Sequence, residues 1–393
     1  MRILVAEDER ITRATLTRQL EAAGHTVVAA EDGEQAWEAF QQGGFDLVMT
    51  DWEMPRLSGL ELIQRIRAID SPSYVYILML TGRTDKADIV NGIEAGADDF
   101  LTKPFDRGEL RVRLLAGERI VRLERALSEQ NVELRAASER MRADLQAAAR
   151  VQRAMLPRAA IDTRAVRASW TYVPTDELAG DAIGFDLVDD RYLVAYIADV
   201  TGHGVPAALL AVRLMHAMEA DKDPAAAGVS LRTPSSRIAE LNRRFCGDTS
   251  GGRFLTMILC VVDTHEGALL FSRAGHPLPI IVRNGEQVAV DDAAGLPLGI
   301  LDEEQYEDVA IPLEPGDRVC LYSDGFMEQT VKGGSEQYGE ARLRDLLLRG
   351  GGRTGDELVA DAVESLTAWA GGRSFIDDVS LVVVEWLGAR PSP

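Results

Sequence analysis

Acidic residues at the ends of apolar runs carry most of the chemistry this 393-residue chain could perform. In the first hundred residues, Glu7 and Asp8 follow the run at 3–6, Asp51 follows 47–50, Thr81 follows 75–80, and Lys103 with Pro104 follows 99–101. Three carboxylates brought together repel one another unless a hard divalent cation bridges them, and oxygen ligands of this kind suit Mg²⁺. A carboxylate screened by that ion can attack a phosphoryl group, while a lysine ammonium and a threonine hydroxyl hold the phosphoryl oxygens. Further along, four turns bear aspartate: Leu178-Ala-Gly-Asp181, Ala198-Asp-Val-Thr-Gly-His-Gly204, Tyr322-Ser-Asp-Gly325 and Ile376-Asp-Asp-Val-Ser380. Each adjoins a predicted strand, so all four could line one edge of a β-sandwich. Phosphate chemistry with two metal ions needs several carboxylates gathered in that way. Taken singly, each residue has an ordinary structural use as a helix cap, a loop residue or part of a Gly-Asp turn.

Different elements must position the two sets. The runs at 3–6, 26–30, 47–50, 75–80 and 99–101 are short and β-branched, each followed by a helix-length stretch. This is the pattern of a five-stranded, doubly wound parallel α/β sheet, whose ligands bind beyond the carboxyl ends of the strands. Later runs at 192–198, 255–263, 268–274, 318–322 and 379–385 are separated by helical patterns at 206–217, 235–245 and 355–369. Gly-bearing turns at 265–267 and 284–285 join consecutive strands as antiparallel hairpins, which indicates an α+β sandwich. Between the halves, residues 118–156 contain neither Gly nor Pro. Ile120, Leu127, Leu134, Met141, Ala148 and Met155 recur at every seventh position there. Leu123, Ala137, Leu145 and Val151 partly fill a second seam, which Gln130, Asn131 and Asp144 interrupt. The spacing predicts a coiled coil, and hence a homodimer, ended by Pro157; the alternative is one amphipathic helix packed on its own domain.

Composition narrows the classes. The chain is 46% hydrophobic and 27% charged, ordinary for globular protein and long enough for two or three domains. Sixty-three acidic against 42 basic residues give a net charge of −21, which repels both a phosphate backbone and an anionic membrane surface, so neither DNA nor membrane is an expected partner. Residues 118–158 run against this trend, with nine basic and six acidic residues. Cys246, Cys260 and Cys320 form no C-x-x-C pair, which fits a reducing compartment. The apolar run in MRILVAEDER is too short for a signal segment or a membrane span, so a cytoplasmic location is expected.

In order and position, Glu7, Asp8, Asp51, Thr81 and Lys103-Pro104 make residues 1 to about 120 resemble a response-regulator receiver domain. The resemblance implies that Asp51 is the phosphoacceptor and that Glu7, Asp8 and Asp51 bind Mg²⁺ with the backbone carbonyl of Glu53. It further implies that Thr81 and Lys103 contact the phosphoryl group, that Lys103-Pro104 is a cis peptide, and that a sensor histidine kinase is the partner. Phe100 stands at the family's aromatic switch position, where an ordinary core role is the alternative.

The four aspartate turns, taken together, resemble the stage-II-sporulation branch of the PPM family of metal-dependent serine/threonine phosphatases, over roughly 150–386. Ala207-Ala208, Phe254-Leu-Thr-Met257, Ala274-Gly-His-Pro277 and Gly295-Leu-Pro-Leu-Gly299 fall in that family's order, and VQRAMLP at 151–157 is similar to its regulatory switch helix. By this resemblance Asp181, Asp199, Asp324 and Asp377 hold two Mg²⁺ or Mn²⁺ ions, with the Val200 carbonyl added and Asp378 the less favoured neighbour. The attacking group is then a metal-activated water. Two points depart from a plain match. Many members read Gly-Gly-Asp-x-x-Asp, whereas this chain has Ala179-Gly180-Asp181-Ala-Ile-Gly184, with Asp186 two positions later. His203 and His276 are candidate proton donors, yet histidines in Gly-rich turns or before Pro are more often structural.

The expected architecture is a flavodoxin-like α/β receiver at 1–117, a coiled-coil linker and switch helix at 118–157, an α+β PPM phosphatase sandwich flanked by helices at 158–388, and a tail at 389–393. The expected function is a response regulator whose Asp51 phosphorylation controls the phosphatase, with a phosphorylated STAS-type anti-anti-sigma protein as substrate. The alternative is an adaptor: a receiver controlling a noncatalytic phosphatase fold that captures a partner, motivated by Gly184. A DNA-binding output finds no support, because the region after the receiver is acidic and lacks a compact helix-turn-helix.

Overall fold

Alternation along five short strands builds the first of two units into which the chain divides, Met1–Arg140 and Met141–Pro393. The computed structural model describes residues 1–69, 73–82, 86–157, 159–220, 233–246, 252–292 and 294–388. The expected tail at 389–393 and the first residue of the expected 158–388 segment therefore lie outside the described residues.

In the first unit, β1 (Arg2–Ala6), β2 (Thr26–Ala30), β3 (Leu47–Asp51), β4 (Tyr76–Thr81) and β5 (Asp99–Thr102) form one parallel sheet in the order β2-β1-β3-β4-β5. Helices α1 (Arg10–Ala22), α2 (Gly33–Gln41), α3 (Gly59–Arg67), α4 (Lys86–Glu94) and α5 (Arg107–Arg153) alternate with the strands. Because successive strand residues face opposite sides, Leu4, Val48 and Ile77 pack against Phe40, Leu62 and Ile66. Ile3, Met49 and Leu78 pack on the other side with Leu16, Leu20, Leu110 and Leu114. Ser58 and Glu61 form a capping box that starts α3, and the Asp32 carboxylate caps α2. The chain order reverses between β1 and β3, which places the acidic residues that follow those strands at the switch point.

Helix α5 runs unbroken past residue 117 to Arg153. Its early residues Leu110, Leu114 and Val121 pack in the first unit. Leu145 and Ala149 pack with Leu178 and Ala208 in the second. Between these ends Leu123, Leu127, Leu134 and Met141 are each more than half exposed. The helix stops four residues before Pro157, because Met155 and Leu156 donate instead to the carbonyls of Gln152 and Arg153, three residues back. Met155 therefore lies beyond the helix and is not the sixth member of the seam.

The second unit stacks two antiparallel sheets. One runs β14 (Val309–Pro312), β11 (Ala268–Ala274), β10 (Leu255–Asp263), β9 (Tyr192–Val200), β8 (Ala182–Val188). The other runs β13 (Glu286–Gln287), β12 (Ile280–Arg283), β15 (Arg318–Tyr322), β16 (Val379–Trp386), β7 (Val166–Val173), β6 (Ile161–Asp162). Their facing residues, among them Ile183, Ile197, Leu259, Leu321 and Val382, form the main core. Helices α6 (Val205–Ala220) and α7 (Pro234–Phe245) cover the first sheet. Helices α9 (Gly339–Arg349) and α10 (Gly355–Ala370) cover the second, and the single turn α8 (Gly325–Glu328) lies between β15 and α9. The β12–β13 hairpin turns on Asn284 and Gly285, both at positive φ, as a two-residue loop of this kind requires. Strands β6, β7, β8 and β14 and helices α8 and α9 add to the elements expected from sequence. Among the described residues, no helix is long and apolar enough to cross a membrane.

Candidate functional site

In the first unit the strand ends bring the expected residues together. Glu7 is fully buried and Asp51 ends β3; the carboxylate oxygens of Glu7, Asp8 and Asp51 lie within 4.8 Å of one another. Lys103 Nζ donates to Glu7 Oε1 and Oε2 at 2.9 and 2.7 Å and to Asp51 Oδ2 at 2.8 Å. Burial raises the Glu7 carboxyl above its ordinary range against the pull of Lys103, and the Asp51 charge adds to the rise. Burial lowers the Lys103 ammonium, but its bonds to Asp51 and Glu7 outweigh that and hold it above its ordinary value. Thr81 ends β4 and is buried, Glu53 is exposed in the loop after β3, and the Lys103–Pro104 peptide is cis. Phe100 is half-buried on β5 with the Arg113 guanidinium 5.8 Å from its ring centre. One contributor carries no sequence signal of its own: Arg13 on α1 donates to the Glu7 and Asp8 carbonyls at 2.6 and 3.0 Å and holds the acidic turn.

In the second unit the four turns converge. Asp181 precedes β8 at 1% exposure, Asp199 and Val200 end β9, Asp324 starts α8, and Asp377 stands two residues before β16. Asp199, Val200 and Asp377 line a cavity of about 330 Å³ with Thr175, His203 and Ile376. Burial, with the charges of Asp199, Asp378 and Asp324 adding to it, holds Asp181 well above the carboxylate range. Burial, then Asp324 and Asp377, pushes Asp199 up to about 8. Burial, Asp377 and Glu328 push Asp324 to about 6. Among the described residues, no Lys or Arg is ion-paired with any of the four, whereas Lys103 relieves the first site. The four are also spread more widely than the Glu7–Asp8–Asp51 group, the only triad of ligand type within 4.8 Å among the described residues. Glu328 lies one helical turn after Asp324, and that spacing is its one signal in the sequence.

Asp378 has a different surrounding from Asp377. Its Oδ1 accepts from Thr175 N at 2.8 Å and its Oδ2 from Gly180 N and Asp181 N at 2.7 and 3.4 Å. On the opposite side of the same turn, Gln152 Nε2 donates to Ala179 O at 2.7 Å and Ala179 N donates to Gln152 Oε1 at 3.2 Å.

The family description "Stage II sporulation protein E" matches residues 189–387, half of the chain, and a response-regulator receiver domain matches residues 3–115. The chain belongs to the stage II sporulation protein E family. Its second unit is similar in fold to the SiaA-PP2C domain of Pseudomonas aeruginosa, with a TM-score of 0.56 and 23% identity over 64% of this chain and 99% of that one. The response regulator MprA of Mycobacterium ulcerans is 42% identical over 126 residues, 32% of this chain and 53% of that protein. The transcriptional regulatory protein YkoG of Bacillus subtilis is 39% identical over 117 residues, 30% of this chain and 50% of that protein. The chain thus spans about half the length of the curated relatives it matches. This chain joins a response-regulator receiver domain to a stage II sporulation protein E domain.

Two questions left by its sequence resolve in the structure. Gly184 pairs with Tyr196 across β8 and β9, and a Cβ there would come within 2.4 Å of the Tyr196 ring. Positions 184 and 186 line a separate cavity of about 410 Å³ beside Met155 and Leu156, away from the four aspartates. Asp186 thus opens onto a different cavity from Asp199 and Asp377, and a side chain at 184 would have to displace the Tyr196 ring. His276 is buried with both ring nitrogens engaged. The Tyr322 carbonyl can only accept, so Nε2 donates to it at 3.1 Å, and Nδ1 meets the Thr256 hydroxyl at 2.9 Å. Burial pushes His276 down to about 3, and it serves as a neutral structural link. His203 is exposed on the cavity wall, 3.8 Å from Asp176.

The raised carboxyls also predict a pH dependence. A group with a higher pKa folded than unfolded binds more protons in the native state, so stability falls as pH rises between the two values. For Asp199 and Asp324 that window runs from about pH 4, the unfolded value, to about 8 and about 6 respectively. The metal-stripped protein is expected to melt several degrees lower at pH 8 than at pH 5, with Mn²⁺ restoring the loss at pH 8. Calorimetry in chelator reads this directly, and a flat profile would contradict it.

Proposed function

We propose that this chain is a two-component output enzyme in which a sensor histidine kinase phosphorylates Asp51 and thereby controls a metal-dependent serine/threonine protein phosphatase. The observation that carries this reading is the convergence of Asp181, Asp199, Asp324 and Asp377 from four separate turns, with no Lys or Arg among the described residues ion-paired to them. Clustered carboxylates, Asp181 buried and the others partly exposed, fit as oxygen donors to two Mg²⁺ or Mn²⁺ ions, with the Val200 carbonyl as a further donor. Bound there, the two ions would supply charge neutralisation and a water acidic enough to attack phosphorus. The chain's own residues place that chemistry: the four turns fix the carboxylates, Glu328 adds negative charge beside Asp324, and His203 offers an exposed imidazole at the cavity wall.

In the receiver, Glu7, Asp8, Asp51 and the Glu53 carbonyl hold Mg²⁺, Thr81 and Lys103 receive the phosphoryl oxygens, and Phe100 is the switch side chain. Control passes along α5, whose end is bolted through Gln152 to the turn bearing Asp181. The exposed seam at Leu127, Leu134 and Met141 pairs with a second copy as a coiled-coil homodimer. The domain limits that follow are a receiver at 1–117, a linker and switch helix at 118–157 and a phosphatase at 158–388. The substrate is a phosphoserine on a STAS-type anti-anti-sigma protein, by resemblance to the family; the net charge of −21 speaks against DNA and membrane partners. The adaptor reading rests on Gly184, which lines a different cavity from the one beside Asp199 and Asp377.

The test is phosphate release from p-nitrophenyl phosphate by the metal-stripped full chain, titrated with Mn²⁺, with and without acetyl phosphate to load Asp51. Release that requires Mn²⁺ and changes with the donor is expected. No release and no Mn²⁺ uptake under either condition would favour the adaptor. Sedimentation velocity on the same samples should show a dimer, and a monomer both with and without donor would end the coiled-coil relay.

A further inference from the structure

Ser380 is out of place in the strand that carries it. β16 reads Val-Ser-Leu-Val-Val-Val-Glu-Trp, lies between β15 and β7, and buries Ser380 completely. A hydroxyl in such a position costs free energy unless it is paired. Its partner is 199 positions away in sequence: Ser380 Oγ donates to Asp181 Oδ2 at 2.5 Å.

The surrounding bonds make this contact rigid. The β15–β16 ladder ends where Tyr322 pairs with Leu381. Beyond that rung, Ser323 N donates to Ser380 O at 2.9 Å, and Ser380 N donates to Ser323 Oγ at 2.9 Å. Ser323 Oγ in turn donates to Asp378 O at 3.1 Å, while the Asp378 carboxylate takes the backbone N–H groups of Thr175, Gly180 and Asp181. The Asp181 turn is thus held twice, its backbone by Asp378 and its carboxylate by Ser380. Because Asp324 follows Ser323 and Asp377 precedes Asp378, the two serines tie together three of the four aspartate turns.

We propose that Ser380 is a positioning residue that orients the Asp181 carboxylate for metal capture, setting metal affinity rather than the rate of the loaded enzyme. The proposal rests on reading this unit as a metal-dependent phosphatase. With one oxygen of Asp181 taken by the hydroxyl, the side chain is ordered before a cation arrives and its other oxygen stays available. Without the hydroxyl, a carboxylate buried among like charges must be ordered by the cation itself, and affinity falls.

The test is calorimetric titration of Mn²⁺ into the metal-stripped full chain and its Ser380→Ala, Ser380→Cys and Ser380→Thr variants, with phosphate release at saturating Mn²⁺ measured in parallel. Loss of a hydrogen-bonding partner behind a ligand typically weakens metal binding about 10- to 100-fold. Ser380→Ala and Ser380→Cys are expected to raise the Mn²⁺ Kd by that factor while kcat at saturation stays within about twofold of the parent. Ser380→Thr, which keeps a hydroxyl, should recover most of the affinity. Should Ser380→Ala not fold, Ser380→Cys carries the same comparison at nearly unchanged volume. Unchanged Kd in both hydroxyl-free variants, or a fall in kcat at unchanged Kd, would overturn the assignment while leaving the phosphatase reading intact. A parent chain that takes up no Mn²⁺ would overturn both.

Discussion

Replacing Asp324 with Asn is expected to lower Mn²⁺-dependent phosphate release by about a thousandfold or more, equivalent to about 4 kcal/mol of transition-state stabilisation. Asp324 starts α8 directly beyond β15, and burial with the charges of Asp377 and Glu328 holds its carboxyl near 6 in the metal-free chain. Asparagine keeps the shape and one carbonyl oxygen but removes the charge a divalent cation needs. The same change relieves repulsion on Asp199, whose carboxyl is pushed to about 8 in part by Asp324. The variant should therefore melt no lower than the parent in chelator while losing the Mn²⁺-induced rise in melting temperature. This combination separates loss of a metal ligand from loss of fold. Release at parental rates, or a variant that unfolds in chelator while the parent does not, would count against the proposed role of Asp324.

Asp51→Asn is expected to abolish the response to a phosphodonor altogether. For a coupled pair of sites the response in the parent is on the order of 5- to 150-fold. Asp51 Oδ2 is 2.8 Å from Lys103 Nζ, and Oδ1 accepts from Trp52 N at 2.8 Å, so the side chain is already fixed at the strand end. Phosphorylation would put new anionic oxygens where Lys103 now bridges Asp51 and Glu7, and this ammonium is the cation bonded to both carboxylates. Asparagine cannot accept the phosphoryl group, so neither the mass of the intact chain nor its phosphate release should change with acetyl phosphate. A donor effect that survives in Asp51→Asn would place the phosphoacceptor elsewhere.

Much of this was legible along the chain. The runs at 3–6, 26–30, 47–50, 75–80 and 99–101 became β1 to β5 within a residue or so at each end, because a parallel strand buried on both faces leaves a continuous apolar signature. The hairpin turning on Asn284 and Gly285 was equally plain, since positive φ at consecutive positions restricts the residues that can serve. Strand β7 was missed: its residues Val-Arg-Ala-Ser-Trp-Thr-Tyr-Val mix polar and apolar side chains, and only pairing with β16 makes them a strand. Helix α5 ends at Arg153, short of the expected stop at Pro157, because proline permits a stop without saying how the preceding turn tightens.

The sequence by itself determined the two folds, their order and the pool of acidic residues at strand ends and turns. Strand alternation, helix capping and turn chemistry are local properties, written in neighbouring residues. Tertiary structure alone decided how those acids differ. It tied Asp378 to three backbone N–H groups, engaged both nitrogens of His276, filled the space beside Gly184 with Tyr196, and aimed the Ser380 hydroxyl at Asp181. Several of those contacts join residues about 200 positions apart, as in the 199 between Asp181 and Ser380. No local pattern encodes them, because a side chain's protonation, pairing and freedom to take a cation depend on what the packed sheets bring beside it.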